Sequence, residues 1–439
     1  MSTLFSDIAQ IKKTLIQNKL RFYFSFPFFQ TKGIYFVLFK KASSIPEILK
    51  QKKISFEFFK VQNQTFIYEY IMQEKSFENT AKQFLMKKEG PTKKLYLEHT
   101  SCNPTGPLSL GRLRGAIIGN TLAKLFKYHK NFKVTTGFFC NDLGKQVSVQ
   151  MEIFSKLGSK PREEEILKAY SQTKRSTGPV HEKYRPKVVS FWNKKIFSCL
   201  KKFKISFSKI FYESEFTKQN LQKEKTILTN SGRKRFLISN HISTYFYRDF
   251  LYCTTILKDF PNNLFIFGQD HEEHARDMRD LLAKKQLPYN YSTFCFVCDE
   301  KGKLSTRKNY SSLPNLLKEL SSTFSTSLAN SRNLLVFAVG LQETSKVLRL
   351  SDLFLPSKKK DLSLFLKQNR HLQSEDSKKE LRIFLCSFFF ICDQVAESKK
   401  VHLLFRYFFF FLKKKKPTTK LDRSLFHHVG KLCEKILFK

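Results

Sequence analysis

No apolar run in this 439-residue chain is long enough to cross a bilayer. The longest, Leu381 to Cys392, is too short and ends at Asp393. That excludes a membrane-spanning helix, and no membrane partner is expected. A disulfide framework is missing as well. The nine cysteines are odd in number and follow no framework spacing, and no secretory signal pattern precedes them. They read as reduced thiols of a cytoplasmic, non-secreted protein. The pair Cys295 and Cys298 has no second pair to complete the four ligands of structural zinc, so no metal site is assigned. No internal repeat is found. Acid is scarce too: 37 Asp and Glu stand against 79 Lys and Arg, a net charge of +42. A field of that sign draws in polyanions, and nucleic acid is the expected partner. The heavy use of Phe and Lys also fits the codons of an AT-rich genome.

What is present is a globular composition, 41% hydrophobic, at a length that calls for two or three domains. Residues 1 to 86 are Phe-rich and carry no chemical motif. A Lys, Gly and Pro linker follows, and the texture changes at Lys94. Leu95 to His99 reads as a strand. Asn103-Pro104-Thr105-Gly106-Pro107 must be a loop, since two prolines and a glycine do not fit a regular element. Leu113, Ile117, Ile118, Leu122, Leu125 and Phe126 then share one face of a helix. A second strand, Lys133 to Cys140, ends at Asn141-Asp142-Leu143-Gly144. Strand, loop, helix, strand predicts an α/β fold with a parallel sheet.

The polar stretch 158 to 190 reads as an insertion or flexible arm. The α/β pattern resumes near Phe246, with a strand at Leu264 to Phe267, a turn at Gly268-Gln269-Asp270-His271, a helix from about Glu272 to Lys285 and a strand from Thr293 to Cys298. The division expected is 1–86, then 87–320 with an insertion near 150–235, then a helical 321–439.

Three segments carry chemistry. The first runs from Glu98 to Ala116. A strand feeding a loop that opens a helix presents free N–H groups and a positive dipole end, an anion site suited to phosphates. Gly111 and Gly115 would allow close approach of backbone and ligand. The second is Thr244-Tyr245-Phe246-Tyr247-Arg248-Asp249. The third joins Gly268-Gln269-Asp270-His271 to the basic run Lys303-Leu304-Ser305-Thr306-Arg307-Lys308-Asn309.

Taken together, these segments resemble the arginyl-tRNA synthetases, class I aminoacyl-tRNA synthetases, most closely those of archaeal type. Glu98, Ser101 and Asn103 followed by NPTGPL match the first signature, and Ser109-Leu110-Gly111-Arg112 takes the place of the HIGH tetrapeptide. The second segment resembles the arginine-binding TYxxRD element. The basic run resembles the MSTRKG form of the KMSKS loop. Asn141-Asp142-Leu143-Gly144-Lys145-Gln146 resembles NDxGxQ, and Glu213-Ser214 resembles a Glu-Ser pair near the end of the family's inserted region. The likeness is strong over about 94 to 155 and 235 to 320. It is thin at the N-terminus and faint near Tyr407, in helical sequence resembling the anticodon-binding bundle.

The resemblance implies a Rossmann-like catalytic domain, a small N-terminal α+β domain and an all-α C-terminal bundle, the last two reduced. It implies an arginine–tRNA ligase, monomeric, with L-arginine, arginine tRNA and ATP as substrates. Mg2+ would come with ATP rather than being held by the protein. In that reading Ser109, Gly111, Arg112, Ser305, Arg307 and Lys308 are catalytic. Glu98, Ser101, Asn103, Tyr245, Asp249 and His271 bind arginine. Gly115, Gly268, Gln269, Asp270 and Lys303 join Ser109, Gly111 and Arg112 around ATP, with Arg114 a further phosphate partner. Ser109 departs from the motif histidine, Thr306 from the motif lysine and Asn309 from the motif glycine. A synthetase-like protein that binds tRNA without activating arginine is the alternative these departures raise.

Overall fold

The computed structural model describes residues 22–25, 34–38, 56–62, 65–70, 78–79, 81–82, 93–128, 132–158, 161–173, 182–217, 226–228, 234–236, 238–239, 242–300, 302–304, 313–354, 385, 388, 391–412 and 420–438. Ser305, Thr306, Arg307, Lys308 and Asn309 lie outside them, as do 83–92 and 413–419.

Two compact units are formed. The first gathers Met1–Glu89, Lys367–Ser398 and Leu403–Lys435. The second gathers Gly90–Leu366, Lys399–His402 and Ile436–Lys439. The boundary expected at 320 therefore falls inside the second unit.

In the first unit, β1 (Phe22–Ser25), β2 (Ile34–Leu38), β3 (Phe56–Gln62) and β4 (Thr65–Tyr70) make an antiparallel sheet in the order β1-β2-β4-β3.

The second unit is built on a five-stranded sheet. Its strands are β5 (Lys93–Glu98), β6 (Phe132–Cys140), β7 (Lys209–Tyr212), β12 (Asn263–Gly268) and β13 (Tyr291–Phe294). The order is β13-β12-β5-β6-β7 and every pairing is parallel. The chain runs β5, β6, β7 to one side, then returns to lay β12 and β13 on the other. This is the doubly wound order of a Rossmann-like fold. Its topological switch lies between β5 and β12, where open α/β sheets bind ligands at the strand carboxyl ends.

Helices supply the crossovers. They are α1 (Leu110–Tyr128), α2 (Lys145–Leu157), α3 (Glu163–Gln172), α4 (Arg185–Lys202), α5 (Tyr245–Asp259) and α6 (Glu272–Ala283). On α1 the predicted face is buried at Leu113, Ile117, Ile118, Leu122 and Leu125. Two short hairpins, β8 (Thr226–Leu228) with β9 (Lys234–Phe236) and β10 (Ile238–Ser239) with β11 (Ile242–Ser243), precede α5.

Two expectations need correction. The stretch 158 to 190 holds the helix α3 and the start of α4 rather than a flexible arm, although 174–181 lie outside the described residues. Val188, Trp192, Ile196 and Leu200 recur every four residues on α4 and are buried, which drives the helix onto α2. The strand expected at Thr293 to Cys298 breaks at Cys295, whose N–H bonds to Thr344 O at 2.8 Å. β13 ends there. β14 (Val297–Asp299) starts a second small sheet with β15 (Gly302–Lys303) and β16 (Leu348–Arg349).

After β15 come α7 (Leu313–Thr323) and α8 (Leu328–Leu341), the latter packed on α1. Most of α9 (His402–Leu412) and of α10 (Lys420–Leu437) belongs to the first unit. Tyr407 is buried and its ring lies 5.3 Å from that of Phe388, so it is a core residue. No helix among the described residues is long and apolar enough to cross a membrane.

Candidate functional site

β5 is the middle strand, so its last residue, Glu98, is flanked on both sides, opposite Gly137 of β6 and Phe265 of β12. A cavity of about 710 Å³ opens at this end of the sheet. From the first predicted segment it is lined by Glu98, Ser101, Asn103, Ser109, Gly111, Arg112 and Gly115. From the others come Tyr245, Asp249, Gly268, Asp270 and His271. These residues thus converge from three stretches of chain.

The inner end of the cavity is acidic. Ser101 Oγ donates to Glu98 Oε1 at 2.8 Å and accepts from the Phe139 N–H at 2.9 Å. Tyr252 Oη donates to Glu98 Oε2 at 2.6 Å, and the Tyr96 hydroxyl lies 2.5 Å behind it. Burial still lifts the Glu98 carboxyl to about 7, while Tyr252 and Ser101 pull it down and Asp249 adds to the rise.

α5 provides the opposite wall. Thr244 caps it by accepting from the Tyr247 N–H at 3.3 Å. Tyr245, Arg248, Asp249, Tyr252 and Cys253 then recur at helical spacing, and all five line the cavity. Arg248 Nε donates to Glu213 Oε1 at 2.6 Å. Burial lifts Glu213 to about 7, against the pull of Arg248. Asp249 Oδ2 pairs with His274 Nε2 at 2.9 Å. Its other oxygen, Oδ1, is buried and has no hydrogen-bond partner. Tyr245 is 40% exposed, but the hydroxyl end is buried. Burial raises that hydroxyl well above its ordinary value, with Asp249, Glu213 and Glu98 adding to the rise.

Three carboxylates therefore meet one guanidinium at this end, and one buried acceptor stays unused. The unpaired acceptor fits a cationic hydrogen-bond donor, since a buried unsatisfied oxygen costs about 1–3 kcal/mol.

The outer end is the N-terminus of α1. Ser109 is its N-cap: its carbonyl accepts from Leu113 N at 2.9 Å, and its hydroxyl faces Arg112 N at 3.4 Å. Arg112 Nη1 lies 3.4 Å from Asn103 O. A Cβ on Gly115 would come within 2.6 Å of the Phe294 ring, so glycine there lets β13 close against α1. On Gly111 a Cβ would meet nothing closer than Ser109 Oγ at 3.9 Å. The loop before α1 is anchored from behind, by Gln150 Nε2 to Thr105 O at 3.1 Å and by Trp192 Nε1 to Gln150 Oε1 at 3.0 Å.

Some assignments change. Arg114 is not a phosphate partner. It is buried, and its guanidinium donates to the carbonyls of Cys295 and Glu343, both at 2.8 Å, and Phe296 at 3.3 Å. It clips α1 to the start of the second sheet. Gln269 does not line the cavity. Its Oε1 accepts from Cys295 Sγ at 2.8 Å. Lys303 lies on β15, with only its backbone described, and Ser305, Arg307 and Lys308 lie outside the described residues.

The sequence reading also passed over residues that the structure puts at the site. Tyr252 follows Tyr245 by seven positions, a helical interval. His274 follows His271 by three, with Met278 next on the same face. These intervals were the available signal. The ties between Asp142 and Ser214, Oδ1 to N at 2.9 Å and Oδ2 to Oγ at 2.8 Å, had no local signal. Among the described residues no group of three His, Cys, Asp or Glu is placed to hold a metal ion.

Over 248 residues, 48% of the chain, the sequence is 27% identical to an arginine–tRNA ligase of Thermoplasma acidophilum and covers 45% of it. The chain spans about half the length of the curated relatives it matches. The fold is similar to an arginyl-tRNA synthetase of Plasmodium falciparum, with a TM-score of 0.71 at 14% identity over 100% of this chain and 98% of that one. It is also similar to one from Thermus thermophilus, with a TM-score of 0.67 at 13% identity over 97% and 96%. No family model matches the chain.

Proposed function

We propose that the chain, arginyl-tRNA synthetase-like in sequence and fold, is an arginine–tRNA ligase. The observation that carries the reading is the polarity of the cavity. Glu98, Glu213 and Asp249 crowd one end with an acceptor left over at Asp249 Oδ1, and the N-terminus of α1 stands at the other. The acidic end takes the arginine guanidinium. The α1 end takes the phosphates of ATP, with Mg2+ entering as part of that substrate.

Arginine so held puts its carboxylate toward the α-phosphate. Attack there forms arginyl-adenylate and expels pyrophosphate. A hydroxyl of the terminal adenosine of tRNA then attacks the arginyl carbonyl and AMP leaves. Positioning and charge placement supply the rate, and no covalent enzyme intermediate is required. Ser109 Oγ offers one hydrogen bond where the motif histidine would offer a charged one. Loss of one such donor costs about 10² to 10³ in rate.

A second reading rests on Ser109 as well. Its hydroxyl is spent on capping α1, as in a synthetase-like protein that binds tRNA without chemistry. Charging of arginine tRNA with radiolabelled arginine and ATP separates the two, run beside Ser109→His. Charging by the natural chain is expected. Tracer incorporation only by the variant would assign the natural chain to the second reading. Failure of both, with tRNA still bound, would remove the ligase reading.

A further inference from the structure

Tyr96 carries a hydroxyl that its packing does not explain. It lies two residues before Glu98 on β5, so the two side chains share one face of the strand. The Tyr96 ring sits among Phe260, Phe265 and Phe211, with centroids 5.4, 6.0 and 6.5 Å away. A phenylalanine ring would make the same contacts. The residue is fully buried, and a buried hydroxyl needs a partner. Among the described residues its one hydrogen bond is with Tyr252 Oη, at 2.5 Å. The next strand makes room for the group: a Cβ on Gly137 would collide with the Tyr96 hydroxyl.

The direction of these bonds follows from counting protons. An ionised carboxylate only accepts, so Tyr252 gives its single hydroxyl proton to Glu98 Oε2, at 2.6 Å. Tyr252 Oη is then left to accept, and Tyr96 donates. Reversal would leave the Tyr96 O–H without an acceptor among the described residues, a cost a buried donor avoids. Tyr96, Tyr252 and Glu98 thus form a one-way series that ends at the carboxylate. Each bond in such a series strengthens the next.

The surroundings of Glu98 otherwise oppose its charge. From α5 come Asp249, Tyr245, Tyr252 and Cys253, and Tyr289 comes from just before β13. Asp249 is the one carboxyl among them and disfavours a second charge. Burial lifts the phenols and the thiol well above their ordinary values. The strand neighbours Gly137 and Phe265 are uncharged, and Arg248 is paired with Glu213. Against burial and Asp249 stand the hydrogen bonds from Tyr252 and Ser101.

We infer that Tyr96 is a positioning residue of the arginine subsite: acting through Tyr252, its hydroxyl holds Glu98 as the oriented, ionised acceptor that a guanidinium needs. The inference rests on the ligase reading and deepens it.

The test follows the Glu98 carboxyl across pH by carbon-13 NMR of the whole chain labelled at glutamate, its signal assigned with Glu98→Gln. Tyr96→Phe should move the midpoint up by about 0.3 of a pH unit, the part of a charged hydrogen bond that cooperation supplies. Added to Tyr252→Phe, it should move the midpoint no further. Its effect on melting should change sign: a loss in the natural background, a gain in Tyr252→Phe, where it removes a stranded donor. In tRNA charging, KM for arginine should rise about twofold near pH 6 and stay level near pH 8.5, with kcat and KM for ATP unchanged. No shift in Tyr96→Phe, a downward shift, or equal shifts in both backgrounds would overturn the inference while the ligase reading stands. A melting loss in both backgrounds would do the same. Should Tyr252→Phe not fold, the single variant decides by the sign of its shift and by KM. Failure of the natural chain to bind arginine would overturn both; a midpoint that still moved as stated would show that the ligase reading failed and the hydroxyl series did not.

Discussion

Glu98 is the residue on which the site turns. Burial carries its carboxyl from 4.5 to about 7. Between those values the folded chain holds a proton that the unfolded chain has released. Stability from this group therefore falls as pH rises from about 4.5 to about 7 and stays level above. Arginine needs the ionised form, so its affinity should rise as pH passes upward through about 7. Tyr252→Phe deletes a hydrogen bond that favours the charged form and should move that midpoint upward. Glu98→Gln should melt higher than the natural protein at pH 8 and lose arginine binding. Thermal unfolding and titration calorimetry read both; a variant that melts lower and still binds arginine would contradict the assignment. Glu98, Ser101 and Asn103 were legible through the family resemblance; the proline-glycine loop beside them marks a loop but names no ligand. Tyr252 was not, since its tie to Glu98 joins residues 154 apart in the chain, nor was Tyr96, whose hydroxyl meets Tyr252. Ser109 was legible as a motif position, but its capping role shows only once α1 has a start. The tie of Gln269 to Cys295 was not legible, because a turn residue's direction is set by its tertiary partner.

At the scale of elements, α1 is held by what packs against it, and two of its three glycines, Gly115 and Gly111, make different demands. Gly115→Ala pushes a methyl toward Phe294, a cavity-lining ring, and should cost about 1–3 kcal/mol through overpacking. Gly111→Ala meets open space and should be neutral or stabilising by up to about 1 kcal/mol, from helix propensity. Urea unfolding of the pair gives the signs, and like effects would place the backbone of α1 wrongly. The helical face of α1 and the strands β5, β6 and β12 were readable from periodicity and loop punctuation. α4 was not, because its buried residues stand among lysines and its start among polar residues. The break between β13 and β14 was hidden by a continuous apolar run, and the N–H of Cys295 bonding to Thr344 decides it.

At the scale of the molecule, a net charge of +42 suits a polyanionic partner. Binding of arginine tRNA should weaken steeply and linearly with the logarithm of salt concentration. A flat dependence would set charge aside as the source of affinity. Parallel-sheet architecture followed from the strand–loop–helix–strand order alone. The grouping of residues 1–89 with 367–398 and 403–435 in one unit did not, because contacts so distant in sequence leave no local pattern. The central claim is that the acidic end of the cavity reads the charge of its ligand. Calorimetric binding of L-arginine and of L-citrulline, its neutral isostere, tests it most directly, with ATP and tRNA present at pH 8. Arginine should bind at least about a hundredfold tighter, because citrulline cannot pair with the buried carboxylates. Equal affinity for the two would contradict the account.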